Sequence, residues 1–521
     1  MASQAPGILA ELSAWQCGIR PDAVATLAQN SAITYRELDE RGNRVAQGLI
    51  AAGCEPGSRV AIIGKNSNAY LEILVGAMKA RAVLTTVNWR LAEPEIVYIL
   101  KHGETQLLFV DQEFTGVARA AAAQIPDLEV KIAIGAGTDG FERYATWRDA
   151  QPAKSPGLTH EPDDVVVQMY TSGTTGLPKG VQLTNRNYDR SMALSSQLPW
   201  QDYAPDNIFF APAPYFHVNG LNAVIRSLQV GSKLLTIDQF NPAEVVNMFE
   251  REKVTRAGMA PAMIQMCLDV PGIEARDFSR LRTITYGGSP ISQRVLTRAR
   301  EVFGCRFVQG YGMTEATGPV AMLAPEDHEP ARGKLMSCGR PLPGIEVKVV
   351  DASGMACPPH GIGEVVVRGP IVTKGYWRDE KATTGAIVDG WLHTGDAAYF
   401  DEDGYLYIYD RIKEMIVSGA ENIYPAEVEN ALFHHPDVAD VAVIGVPDEK
   451  WGEAVKALVV PKPGATLSGA ELIAYARAHI AGYKVPKSVE FVTSIPRNAA
   501  GKILRRDLRK PYWENQERKV N

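Results

Sequence analysis

Residues 170–180 read YTSGTTGLPKG. Gly173, Gly176 and Gly180 permit backbone shapes that other residues resist. Successive N–H groups can then turn toward one anion. Thr171, Ser172, Thr174 and Thr175 add hydroxyl donors, and Lys179 adds a positive charge. Together they suit a polyphosphate. A mobile polar surface loop is the ordinary reading of such a composition. It is disfavoured here because the apolar run DVVVQMY leads straight into the loop, as a strand delivers a loop to a sheet edge. Ligands bind at such edges in α/β proteins. The loop is not a Walker A motif, which needs Gly-Lys followed by Ser or Thr; Lys179 lies between Pro178 and Gly180.

Other chemistry-bearing residues stand singly. Glu315 is a lone carboxylate near Gly310 and Gly312, and Asp396 closes the stretch GWLHTGD. A carboxylate of this kind can accept both hydroxyls of a ribose diol. His217 lies in PYFHVNG, where a packed ring is the commoner role. Lys502 follows a turn at Asn498 and Gly501 and precedes the basic run Arg505, Arg506, Arg509, Lys510, which reads as a solvated helix face. His434-His435 and the acidic DEDG lack further ligands at metal spacing, so neither is read as a metal site.

These residues need elements to position them. A chain of 521 residues is too long for one core. Apolar residues are 45% and charged ones 22%, a globular profile. The net charge of −6 gives no general attraction to nucleic acid or anionic membrane. Six scattered cysteines (17, 54, 267, 305, 338, 357) include no CxxC pair and read as reduced thiols. No signal peptide, membrane span or peroxisomal tail is read, so a cytoplasmic protein is expected. Oligomeric state stays open, a homodimer included.

In the first half, helical and strand-like segments alternate. TYRELDERGNRVAQGLIAAG reads as a helix stopped at Gly53, and RVAIIG as a buried strand. AYLEILVGAMKARAV, LLFV, KLLTI, LRTITYGG and RFVQGYG continue the rhythm, which predicts α/β layers with largely parallel sheet. From about 340 the strands IEVKVVD, GEVVVRG and GYLYIYD predict an antiparallel β module closing the large domain, with a hairpin turn at Asp403-Gly404. Beyond about 410, two helices and two strands predict a separate α+β unit. The fold class is therefore α/β: a large N-terminal domain (1–410) with parallel-type sheets and a β-rich module, and a small C-terminal α+β domain (414–521).

YTSGTTGLPKGVQLTN resembles the signature loop of the adenylate-forming superfamily, which includes acyl- and aryl-CoA synthetases, luciferases and peptide-synthetase adenylation domains. YGMTE, GWLHTGD, DRIKEMIVSGAENIYPAEVE and PRNAAGKIL follow in the family's order and spacing. The resemblance implies two half-reactions. A carboxylate attacks the α-phosphate of Mg-ATP, giving acyl-adenylate and pyrophosphate; a thiol, usually of coenzyme A, then displaces AMP. It implies phosphate binding by Thr171, Ser172, Gly173, Thr174, Thr175, Gly176 and Lys179. Glu315 becomes the Mg²⁺ ligand, with Thr175 as a further one. Adenine is expected between Gly287, Gly288, Ser289 and Gln309, Gly310, Tyr311, Gly312, next to Thr314, with Tyr311 stacking on the base. Asp396 and Arg411 are expected at the ribose and Lys502 on the reacting oxygens.

The same resemblance implies that His217 positions the acid, with Val218, Asn219, Gly220, Gly287, Met313 and Thr317 in the acyl wall. PYFHVNG has no Asp to pair with an α-amine, which argues against an amino acid substrate. Gly419, Ala420 and Glu421 fall in the loop implied for the thiol step; Ala420 departs from the family's Gly-Gly. Lys413, within 411–413, is the implied hinge on which the small domain moves. The expected activity is ATP-dependent acid–CoA ligation of a fatty or similar apolar acid. An adenylation enzyme loading a carrier-protein thiol is the alternative, and a non-enzymatic nucleotide-binding relative is a third reading.

Overall fold

A computed structural model describes residues 5–514 except 29, 127, 129, 139, 172–176, 289–290, 412–413, 419–420, 449–450 and 498–502; for 409–411, 417, 421–422 and 452 it describes the backbone alone. Contacts divide the chain into two compact units. The first comprises Met1–Leu335, Gly339–Glu346 and Val367–Leu392; the second comprises Met336–Cys338, Val347–Val366 and His393–Asn521.

Two sheets build the first unit. One has eight strands among the described residues, in the order Gly375–Tyr376, Lys179–Thr184, Val165–Thr171, Val83–Val87, Arg59–Ile63, Thr105–Asp111, Val130–Ile134 and Glu142–Arg143. Its inner pairs are parallel, and antiparallel strands complete the Gly375 edge. Its central strands are buried on both faces, as the continuous apolar runs require. The other sheet has nine strands among the described residues, running from Arg340–Pro341 through Gly318–Leu323, Arg306–Met313 and Thr283–Gly287 to Ser31–Thr34. The Thr283–Gly287 and Arg306–Met313 strands are parallel; Gly318–Leu323 returns antiparallel.

Local signals explain the helices. Tyr35–Ala51 starts at a capping box: Glu37 N donates to Thr34 Oγ1 at 3.2 Å and Thr34 N donates to Glu37 Oε2 at 2.8 Å. It buries Leu38, Val45, Ala46 and Leu49, the helical-period face, and stops two residues before Gly53.

The second unit contains most of the residues of the strands that the sequence assigned to the end of the large domain. The hairpin is present: Phe400 pairs with Leu406 across the turn, with Gly404 at φ +77. The C-terminal part is a mixed sheet built on the long antiparallel pair Val438–Asp448 and Gly452–Pro461. Helices Pro425–Phe433 and Gly469–His479 bury Val428, Leu432, Leu472 and Ala476 in one core with Val443 and Val459. Among the described residues no helix is long and apolar enough to cross a membrane.

Candidate active site

Two paired strand ends flank positions 172–176 of the expected phosphate loop. Thr171 ends one strand, Lys179 begins the next, and the two stand opposite each other in register. Ser172, Gly173, Thr174, Thr175 and Gly176 lie outside the described residues. The hairpin is anchored by buried Met169 and Val181, which pair across it. A side chain at Gly180 would meet Gln168 Nε2 at 3.0 Å and Tyr170 Cζ at 3.2 Å, so this glycine also answers a packing need.

Glu315 comes from the other sheet. It sits in the short turn Thr314–Ala316 directly after the strand Arg306–Met313. Thr317 follows in the left-handed region at φ +57, which reverses the chain into Gly318–Leu323. Glu315 is only 7% exposed. Its Oε1 accepts from Thr171 Oγ1 at 3.1 Å and from Tyr376 O–H at 3.2 Å. It forms no ion pair among the described residues. A buried carboxylate supported by hydroxyls alone has no cationic partner, and buried charges are ordinarily paired or coordinate metals. That donor set fits Mg²⁺, which takes one or two carboxylates and completes its shell with phosphate oxygens and water. No group of three or more His, Cys, Asp or Glu side chains arranged for a metal exists among the described residues.

Sequence reasoning missed Tyr376. It lies in TKGYW, on the strand Gly375–Tyr376 that pairs with Gln182 and Val181. Thr373, also missed, ties this strap to both sides. Its N–H donates to Glu315 O at 2.7 Å and its hydroxyl to Gln182 O at 2.6 Å. The visible signal was two aromatics after a glycine, between two motifs already noted.

At the expected adenine edge, Gly287 pairs with Gly310 and Tyr286 with Gln309. A Cβ on Gly287 would lie 2.3 Å from Gly310 O, and one on Gly312 would lie 1.8 Å from Gly318 O. Both positions are glycine because the protein's own backbone fills the space. Gly310 is different: its nearest neighbour would be Pro319 Cβ at 3.8 Å. Tyr311 continues the same strand opposite Ala321, and Thr314 opens the Glu315 turn. Gly288 adopts φ +83, and Ser289 lies outside the described residues.

The expected acyl wall gathers around the helix Val218–Val230. His217 is its N-cap residue. A Cβ on Gly220 would fall 2.3 Å from Pro214 O, so the helix can start against that turn only with glycine there. Val218 is buried and Asn219 exposed. Asn219 Nδ2 lies 3.8 Å from where a Gly288 Cβ would be, and Asn222 Nδ2 donates to Thr317 O at 2.9 Å. The helix start therefore abuts 287–288 and 317–318, with half-buried Met313 paired to Gly318. The His217 ring packs on Phe216 at 4.6 Å, and its Nε2 is shielded without a partner. Burial first, then the Arg90 charge, pushes its pKa down to about 4, so the ring is neutral at pH 7.

In the second unit Asp396 is buried at 5% exposure and stands opposite Arg411 in register. Its N–H donates to Thr394 Oγ1 at 3.1 Å, and Gly395 N–H donates to Glu364 Oε1 at 2.9 Å. Glu421 begins the strand Glu421–Ile423. Lys413, Gly419, Ala420 and Lys502 lie outside the described residues. On either side of 498–502, Arg497 bridges Ile503, and Leu504 N–H donates to Pro496 O at 2.9 Å. The helix Arg505–Trp513 follows, with Arg505 bound to Glu429 at 2.7 Å and to Glu414.

Residues 13–377 match the family described as AMP-binding enzyme, and 427–502 match the AMP-binding enzyme C-terminal domain. The fatty acid–[acyl-carrier-protein] ligase ScoC of Streptomyces coeruleorubidus is 41% identical over 98% of this chain and 98% of that protein. The feruloyl-CoA synthase of an Amycolatopsis species is 41% identical over 94% of this chain and 96% of its own. Among solved structures, o-succinylbenzoate CoA synthetase (MenE) from Bacillus subtilis, in complex with its acyl-adenylate intermediate OSB-AMP, superposes with a TM-score of 0.84 at 30% identity, covering 98% of this chain and 99% of its own. The chain belongs to the AMP-binding enzymes of the adenylate-forming superfamily: it is an AMP-forming acid–thiol ligase, and ATP, Mg²⁺ and coenzyme A are the family's cofactors and co-substrate.

Proposed function

We propose that this enzyme adenylates a fatty or similar apolar carboxylic acid and transfers the acyl group to coenzyme A, releasing AMP and pyrophosphate. The convergence of Thr171, Lys179 and Glu315 at one sheet edge supports the reading most directly. A carboxylate cannot be displaced by a thiol without first gaining a leaving group, and electrostatic clamping of the phosphates supplies much of that catalysis. Thr171 and Lys179, with 172–176, hold the phosphates; Glu315 holds Mg²⁺, which supplies charge neutralisation at the phosphate oxygens. Neutral His217 forms no ion pair with the acid's carboxylate but shapes its site. Asp396 and Arg411 hold the ribose, and Gln309 to Gly312 the adenine. Lys502 offsets charge on the reacting oxygens. Lys413 is the hinge, with 1–410 and 414–521 as the moving parts; Gly419, Ala420 and Glu421 line the thiol approach. The expected compartment is the cytoplasm.

A second reading, transfer to a carrier-protein thiol, is favoured by the name of the ScoC relative. The deciding experiment gives the enzyme ATP, an apolar acid and either free coenzyme A or a phosphopantetheinyl carrier protein. Thioester on coenzyme A supports the first reading; thioester on the carrier alone supports the second.

A further inference from the structure

The strap 373–377 carries a role that neither the resemblance nor the relatives assign. Tyr376 touches two groups of opposite charge with different parts of one side chain. Its hydroxyl donates to Glu315 Oε1 at 3.2 Å, while Lys179 Nζ lies 5.1 Å from the centroid of its ring. Among the described residues Lys179 and Glu315 form no ion pair with each other. A cation attracted to a ring face is held without being neutralised. Direct pairing would instead consume both charges.

The tyrosine is fixed from both ends. Thr373 is bonded to Glu315 O and Gln182 O. Trp377 N–H donates to Gly180 O at 2.8 Å, and its indole N–H to His102 O at 3.1 Å. The Arg59 guanidinium carbon lies 3.2 Å from the Trp377 ring centroid. The backbone that carries the ring is therefore tied down on both sides, next to the strand that begins at Lys179.

We propose that Tyr376 is a positioning residue that keeps Lys179 and Glu315 apart, so that the first stays available to phosphate oxygens and the second to a divalent cation. This rests on the reading of that edge as the Mg-ATP site.

The test measures Mn²⁺ binding by electron paramagnetic resonance, with a non-hydrolysable ATP analogue present and no acid. In Tyr376→Leu, Lys179 can pair with Glu315, and Mn²⁺ affinity falls about tenfold, equivalent to about 1.4 kcal/mol. Tyr376→Phe keeps the ring and stays within about threefold of wild type, the scale of one lost hydroxyl contact. In Tyr376→Leu combined with Lys179→Met, affinity returns to that of Lys179→Met alone. Should the leucine variant lose its melting transition, Tyr376→Met, which fills the volume without a ring, gives the same readout. Unchanged Mn²⁺ affinity in a folded ring-less variant overturns the proposal, as does a loss that persists in the double variant. Absence of Mn²⁺ binding in the wild type, with the analogue present, overturns the Mg-ATP reading and this proposal with it.

Discussion

Thr171 and Glu315, 144 residues apart in the chain, meet at 3.1 Å, hydroxyl to carboxylate. One ends a strand of the eight-stranded sheet; the other follows a strand of the nine-stranded sheet. The contact joins the hairpin proposed to hold the phosphates to the carboxylate proposed to hold the metal. Removing a hydrogen bond to a charged group costs about 1.5–3 kcal/mol. Thr171→Val is therefore expected to raise the Mg-ATP KM about tenfold or more, whereas Thr171→Ser keeps the donor and stays near wild type. Initial-rate kinetics at fixed acid check this; equal KM values for the two variants would separate Thr171 from the site.

His217 offers a pH test with a definite sign. Its folded pKa of about 4 lies below the ordinary imidazole value of about 6.5. The unfolded chain then binds the proton first as pH falls. The stability contribution is whole above about pH 6.5 and is lost progressively toward pH 4. Catalytic rate should show no titration of this ring between pH 6 and 8. NMR titration of the His217 Cε1–H checks the value directly. Because Arg90 contributes after burial, Arg90→Met should move it upward by less than burial holds it down.

Gly220 is expected to tolerate no side chain. A Cβ there would sit 2.3 Å from Pro214 O and 2.6 Å from Ala213 O, both backbone atoms that cannot rotate aside. Overpacking of this kind costs about 1–3 kcal/mol. Gly220→Ala should lower the melting temperature, as read by calorimetry, and displace His217, three residues earlier.

Much of this was legible because the chemistry is local. The apolar run into 170–180 reads as a strand, and the structure makes it one, with Thr171 paired to Lys179. Gly53 and Gly404 stop a helix and turn a hairpin as read. What was not legible is non-local. Tyr376 looks like any strand aromatic until β pairing brings it within 3.2 Å of Glu315, 61 residues away. Gly287 and Gly312 look like room for a base, yet the carbonyls of Gly310 and Gly318 occupy that space. The grouping of 347–366 with 393–521 depends on which strands find each other, which a change of texture near 340 cannot reveal.

The roles proposed for Lys502 and Lys413 can be tested on the two half-reactions separately. Lys502→Ala should reduce adenylation about 10²-fold or more, the scale for one oxyanion-type donor, while transfer from pre-made acyl-adenylate to coenzyme A largely persists. Lys413→Pro should spare adenylation and depress transfer, because proline fixes φ where a hinge must change it. Rapid-quench assays of each half-reaction check both; parallel losses in the two steps would argue against these assignments.

The most direct measurement is acid-dependent exchange of labelled pyrophosphate into ATP across short, medium, long-chain and aromatic acids, with Mg²⁺ titrated in wild type and in Glu315→Gln. The account predicts exchange that requires an apolar acid, and a Mg²⁺ curve shifted to higher concentration in the variant because a neutral amide is a poorer ligand for a hard cation. Exchange with no acid in the panel, or superimposable Mg²⁺ curves for the two proteins, would contradict it.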